Sequence, residues 1–378
     1  MRLARLLCLA LPACSTLASA GSGDQDLPSS GVGPFQALSQ TQVAPGDVAP
    51  YVFLGEASAY REPSVLPATS DPASPAVLMY VVAHGAQGDV IERTRADDGR
   101  SFYGDSPDLQ NFPRHIPPTV LSATLAWEGY SVGGPSALRA ADGAVWLYYA
   151  AAGGIGLARS GDGGRTFTKA GAPVLGLGFD VAWERTAPRA PSVAIFPDGT
   201  WHMLYASGSA IGEATSTDGV AWKRVDGDPS SPALDPVLVP SPTVDPKTLG
   251  PGERPPFDEG GVDDPLLLPR VDGTGALQVR VLYTGYGAPA GASPRPSSIG
   301  FAARYGVAGA LARQAEAVYT ALTPVAAPAY MQASGPAMLY AAQQNTSADP
   351  GHSFPAIIAA FDVSGGVPGP LATAPGSP

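Results

Sequence analysis

The chain of 378 residues is 44% hydrophobic and only 15% charged, with 46 Gly and 41 Pro, which excludes a helical bundle or a coiled coil. Aromatic residues at 8%, with apolar runs recurring along the chain, exclude a disordered polymer. The net charge of −11 comes without any Lys/Arg run to track a phosphate backbone, which excludes nucleic acid as a partner.

Arg2 and Arg5 precede an apolar run, Leu6 to Ala13, which is short for a membrane span of about 20 residues and reads as an export signal. Two processing sites compete within it. Leu11-Pro12-Ala13-Cys14 resembles a bacterial lipobox, in which Cys14 is lipidated, whereas Ala18-Ser19-Ala20 fits ordinary signal peptidase. Ser15 to Gly33 is Ser/Gly-rich and suits a tether. The expectation is therefore an exported protein, either an outer-membrane or cell-surface lipoprotein or a freely secreted one. Residues 1–20 are read as the signal, 21–44 as a flexible linker, 45–363 as the folded unit and 364–378 as a disordered tail. The only cysteines are Cys8 and Cys14, so the folded unit has no disulfide and no thiolate metal site.

Five repeats organise the rest. Each reads as a Pro-led apolar strand, a strand ending near Tyr, an Ile- or Val-led strand and an Asp-Gly turn. The clearest copy runs from Arg189 to Trp222 and the one before it from Gly133 to Phe167. An earlier copy opens at Arg61; a fourth opens at Asp263 with strands around Tyr283 and Ile299, and a weaker fifth opens at Ala327. Period-2 segments such as Thr200–Tyr205 predict half-buried strands, and Pro-Asp-Gly and Ala-Asp-Gly predict hairpin turns. About four short antiparallel strands per repeat make one propeller blade. The expectation is an all-β protein, a five-bladed β-propeller, with six blades as the alternative. Helical periodicity is confined to Gly309–Tyr319.

Two motif sets follow the repeats. Ser160 to Phe167 matches the Asp box S-x-D-x-G-x-T-[WF], in which the Asp caps backbone N–H groups of a turn and the aromatic anchors the hairpin. In the second set, Glu56, Glu128, Glu184 and Asp258 each stand seven residues before a blade-opening Pro, three of them after an aromatic: Trp127, Trp183 and Phe257. These acids either accept hydrogen bonds within their own loops or form an axial ring that binds sugar hydroxyls or a cation such as calcium. His84, His115, His202 and His352 show no metal-ligand spacing, and His202 reads as a packing residue within a strand.

The order Pro–strand–LYYA/LYAS–IGxAxSxDGxxF/W over roughly residues 50–363 resembles the five-bladed furanosidase-type propellers of glycoside hydrolase families 32, 43 and 130. The resemblance implies three essential acids: one directly before the first Pro, a second directly before the next, and a Glu two places before the third. Carried onto this chain, those positions hold Glu62, Gly134 and Arg189. Arg cannot protonate a leaving group, so the usual acid set is partly missing. The expected replacement set is Glu62, Glu184 and Asp264, converging on one axial funnel. Arg61 and Arg189 are expected at its wall, with Glu128, Asp258, Trp127 and Trp183 as further substrate-binding residues. Tyr60-Arg61-Glu62-Pro63 also resembles the sialidase opening, whose Arg binds a substrate carboxylate.

The function expected is an exported glycoside-hydrolase-like propeller that acts on or binds an oligo- or polysaccharide, without a cofactor unless an axial cation is held. A non-catalytic ligand-binding propeller and a sialidase-like hydrolase are the alternatives. The chain is expected to be a monomer, touching membrane only through the N-terminal lipid.

Overall fold

The computed structural model describes residues 35–37, 51–53, 60–68, 76–97, 102, 117–178, 180–292, 295–320, 324–331, 338–344 and 355–362. The export signal, Cys14, Glu56, His115, His352 and the tail at 364–378 lie outside these residues.

In chain order the strands are β1 (Phe35–Ala37), β2 (Tyr51–Phe53), β3 (Arg61–Pro67), β4 (Val77–Gly85), β5 (Gly88–Ala96) and β6 (Thr119–Leu121). There follow β7 (Val132–Arg139), β8 (Val145–Ala151), β9 (Gly154–Ser160), β10 (Thr168–Lys169), β11 (Leu175–Gly176), β12 (Arg189–Ile195), β13 (Trp201–Ser207), β14 (Ala210–Ser216) and β15 (Lys223–Val225). The last are β16 (Gly261–Val271), β17 (Leu277–Tyr286), β18 (Ser297–Tyr305), β19 (Ala312–Arg313), β20 (Val325–Met331), β21 (Met338–Gln344) and β22 (Pro355–Asp362). Among the described residues they form five antiparallel sheets: β3–β6, β7–β11, β12–β15, β16–β19, and β20–β22 with β1 and β2. The opening strands lie side by side in a closed circuit, β3 against β7, β7 against β12, β12 against β16, β16 against β20 and β20 against β3. The protein is an all-β β-propeller.

Each gap between neighbouring sheets is filled by one apolar cluster. Tyr205, Met203 and Ala214 pack on Tyr148, Ile155 and Leu157 between the second and third sheets, and Tyr283 and Val281 pack on Leu204 and Ile211 between the third and fourth. This explains one departure from expectation. Alternation in Thr200–Tyr205 predicts a half-buried strand, yet every residue of β13 is buried, because sheets cover both of its faces. His202 therefore lies inside, 2% exposed, with Nδ1 2.8 Å from Glu213 Oε1.

Two expectations need correction. Gly309–Tyr319 is not helical: Ala312–Arg313 forms β19 on β18, and the N–H groups of Leu311 and Gln314 go to the carbonyls of Val237 and Phe301. Tertiary hydrogen bonds override local helix preference here. Likewise, Phe35–Ala37 falls within the segment read as a linker but pairs with β22. Phe35 is buried among Leu282, Ile299, Phe301 and Leu339. The first and last strands thus share one sheet.

Candidate functional site

At the same place in every opening strand the ladder slips: between Arg61 and Ser64, Gly133 and Ser136, Arg189 and Ser192, Asp263 and Leu266, and Ala326 and Ala329. The residue directly before each Pro takes a left-handed backbone there. The φ values are 53° at Glu62, 51° at Gly134, 47° at Ala190, 44° at Asp264 and 52° at Ala327. For the non-glycine residues this is strained, and a following Pro disfavours helical backbone further. The five residues line both a funnel of about 680 Å³ and a smaller axial cavity of about 200 Å³, so they stand between the two. Two of the five carry a carboxylate.

Glu62 comes from β3, and its Oε2 accepts the Gly134 N–H at 2.5 Å. The space it occupies exists because the facing residues lack side chains: a Cβ on Gly133 would lie 3.0 Å from Oε2. Oε1 is 3.5 Å from Arg61 Nε. Asp264 comes from β16, and its Oδ2 accepts the Thr284 hydroxyl at 3.0 Å, while Thr284 Oγ1 accepts the Ala327 N–H at 2.9 Å. Around this pair, Arg61 donates to Asp89, which lies 3.0 Å from His84 Nδ1. Arg189 Nη2 donates to Asp263 Oδ2 at 2.5 Å and to the Gly208 carbonyl at 3.0 Å, joining β12 to β16.

The electrostatics separate the two acids. Burial pushes the Asp264 carboxyl well above the usual carboxylate range, and the charges of Asp263 and Glu62 push it further; the Thr284 hydroxyl and Arg189 oppose them without prevailing. Burial also raises Glu62, but the Gly134 N–H and Arg61 favour its ionised form. Neighbouring carboxylates that cannot both ionise cheaply leave one protonated. Both carboxyls are raised, and Asp264 is the one pushed further towards its protonated form.

Of the expected site, Glu62, Asp264, Arg61, Arg189 and Glu128 line the funnel. Glu184 does not. It is 5% exposed, and its carboxylate receives the Tyr205 hydroxyl at 2.6 Å, Arg224 Nε at 2.6 Å and the Gly178 N–H at 2.9 Å. Every lone pair it could offer to chemistry is already used. Two expected substrate ligands are likewise engaged within their own blades, Asp258 through Oδ2 alone. Glu128 binds the Tyr149 hydroxyl, Lys169 and the N–H groups of Thr124 and Leu125, and these bonds outweigh burial to lower its pKa. Asp258 binds the Tyr283 hydroxyl and Arg313. The aromatics before these acids are committed as well: Trp127 stacks on Tyr149, Trp183 on Tyr205 and Phe257 on Tyr283. Glu128, Glu184 and Asp258 are thus lead-in anchors inside their blades rather than an axial ring. Among the described residues no three His, Cys, Asp or Glu side chains form a metal-ligand group, so the expected axial cation finds no ligand set there.

Four charged or aromatic funnel residues were not expected: Asp89, Asp263, Tyr130 and Tyr286. Asp263 was within reach of sequence reasoning, since it stands two residues before Pro265 as Arg61 and Arg189 stand before Pro63 and Pro191. Asp89 and Tyr130 carry no such signal. They reach the funnel because the turn before β5 folds over the loop before β7, with the Asp89 N–H on Ser131 Oγ at 3.1 Å.

No protein-family profile matches this chain, and no curated protein matches its sequence. Its fold is shared with solved glycoside hydrolases. One, described simply as a glycoside hydrolase, is 16% identical with a TM-score of 0.58, covering 90% of this chain and 95% of its own. A thermostable family-43 glycoside hydrolase is 14% identical with a TM-score of 0.55, covering 85% and 98%. An α-L-arabinofuranosidase from Lactobacillus brevis is 12% identical with a TM-score of 0.53, covering 80% and 90%. At these identities the likeness is one of fold: the chain is a β-propeller of the architecture those enzymes share.

Proposed function

We propose that this protein is a five-bladed glycoside hydrolase that cleaves an oligo- or polysaccharide in its funnel, with Glu62 and Asp264 as the working carboxylates. One observation carries the reading: two opening strands, β3 and β16, present a carboxylate at the same strained position on one funnel floor. Protonated Asp264 donates to the glycosidic oxygen as the C–O bond breaks, ionised Glu62 stabilises the positive charge that develops on the sugar ring, and water then adds to the anomeric carbon and returns a proton to Asp264. Arg61 holds Glu62 in its charged form, while Asp263, fixed by Arg189, helps keep Asp264 protonated. Each of the five sheets counts as one blade in this reading, and the sequence of residues 1–20 supports export.

Hydrolysis assays on arabinosides, xylosides, fructosides and mannosides test it. The unaltered protein is expected to release sugar from at least one, and Glu62→Gln and Asp264→Asn are each expected to lose about 10²-fold or more. A second reading has its own support: Gly134 and Arg189 stand where the related families keep acids, as in a propeller that only binds glycan. Glycan binding without any cleavage by the unaltered protein would select that reading.

A further inference from the structure

The funnel has one aromatic side chain to which the folded chain gives no cover. Tyr130 is 88% exposed, the most exposed of the large hydrophobic residues among the described ones, yet it lines the funnel. Its backbone is held firmly. The hairpin before β5 presses on it so closely that a Cβ on Gly88 would lie 2.0 Å from the Tyr130 carbonyl oxygen, and Ser131 beside it accepts the Asp89 N–H. A fixed backbone with a bare ring is the arrangement of a platform, since leaving an aromatic face in water forgoes the burial that normally places it.

The walls below the platform differ in kind. Arg61, Asp89, Arg189 and Asp263 form polar wall, whereas Ala151 and Ala342 present small apolar surface. A sugar ring has the same two-sided character, hydroxyls around its edge and C–H groups on its face. Glu62 and the loop that carries Tyr130 are joined through Glu62 to Arg61, Arg61 to Asp89 and Asp89 to Ser131, which ties the Tyr130 backbone to the Glu62 side of the floor. The funnel's volume of about 680 Å³ falls within the range of about 300–1,000 Å³ typical of ligand sites.

We infer that Tyr130 is a stacking platform for a second sugar unit, so that the ligand is an oligosaccharide of at least two units, one at the Glu62–Asp264 floor and the next against the Tyr130 ring. The inference rests on the glycan reading of the funnel. Calorimetric binding to a Glu62→Gln protein, with and without Tyr130→Ala or Tyr130→Phe, tests it using arabinose, fructose and mannose and the trisaccharides of each. Tyr130→Ala is expected to weaken the preferred trisaccharide about five- to tenfold, to leave its monosaccharide unchanged, and to be rescued by Tyr130→Phe. Equal affinity of the Ala variant and its parent for the trisaccharide, or an equal loss for both sugar lengths, overturns the platform while the glycan reading stands. A protein that binds none of these sugars overturns both.

Discussion

Burial of the Asp264 carboxyl couples the stability of the fold to pH. Its folded-state pKa is raised by burial and by Asp263 and Glu62, so folding favours its protonated form. The stability this contributes is present below the ordinary Asp value and is lost as pH rises through the raised one. Thermal melting between pH 4 and 9 is expected to show that loss, and Asp264→Asn to remove it. Under the proposed hydrolysis, activity in the same window is expected to fall on the alkaline side as Asp264 loses its proton and on the acid side as Glu62 gains one. Glu184 behaves otherwise. Glu184→Ala leaves Arg224 and Tyr205 without their shared acceptor and is expected to cost about 3 kcal/mol in chemical denaturation, while any hydrolysis or glycan binding by the protein that stays folded is unchanged. The positions of Glu62 and Asp264 were legible in sequence because each precedes a blade-opening Pro. Glu184 misled because its spacing repeats as faithfully as a catalytic residue would; only its three hydrogen-bond partners, brought from β11's flank, β13 and β15, show that it is spent on structure.

The repeated element has a chemical grammar of its own. In three successive blades an aromatic–acid pair on the lead-in loop meets a Tyr from the second strand and a cation from the fourth: Trp127-Glu128 with Tyr149 and Lys169, Trp183-Glu184 with Tyr205 and Arg224, Phe257-Asp258 with Tyr283 and Arg313. A glycine on the third strand admits each stack: a Cβ on Gly156, Gly212 or Gly300 would lie 2.4–2.7 Å from these rings. A second device links the blades. Ser64 Oγ accepts the Ala137 N–H, Ser136 that of Val193 and Ser192 that of Leu267, at 2.9, 3.0 and 2.8 Å. Ser136→Ala leaves the Val193 N–H without its acceptor and is expected to cost about 1–3 kcal/mol, read from the midpoint of urea unfolding. The strands themselves were legible from Pro, Tyr and Asp-Gly punctuation. The cation of each anchor was not, because Lys169, Arg224 and Arg313 sit 40–55 residues from their acids at no constant spacing.

At the scale of the molecule, closure depends on strands from both ends of the chain sharing a sheet. β1 and β2 both pair with β22, so the N-terminal segment completes the last sheet. Phe35→Ala removes the one buried side chain that β1 contributes to the core among the described residues. It is expected to cost about 3 kcal/mol and to lower the melting temperature without altering the funnel. Sequence periodicity showed the five repeats but missed β1, since a strand of three residues is too short for alternation to be read. For the same reason the strand β19 hid in a helix-like run. Both are edge strands whose placement is dictated by the neighbour they cover.

The left-handed residues before the five prolines bear on how such a ring changes over time. Gly134 adopts this backbone without penalty, whereas Glu62, Ala190, Asp264 and Ala327 hold it against their own Cβ atoms, at a cost of order 1–3 kcal/mol each. Drift toward glycine at these positions is therefore thermodynamically downhill, and an acid persists there only under selection for what it does. Asp264→Gly should melt higher than the parent, and that gain would measure what the fold gives up to keep a carboxylate at its axis.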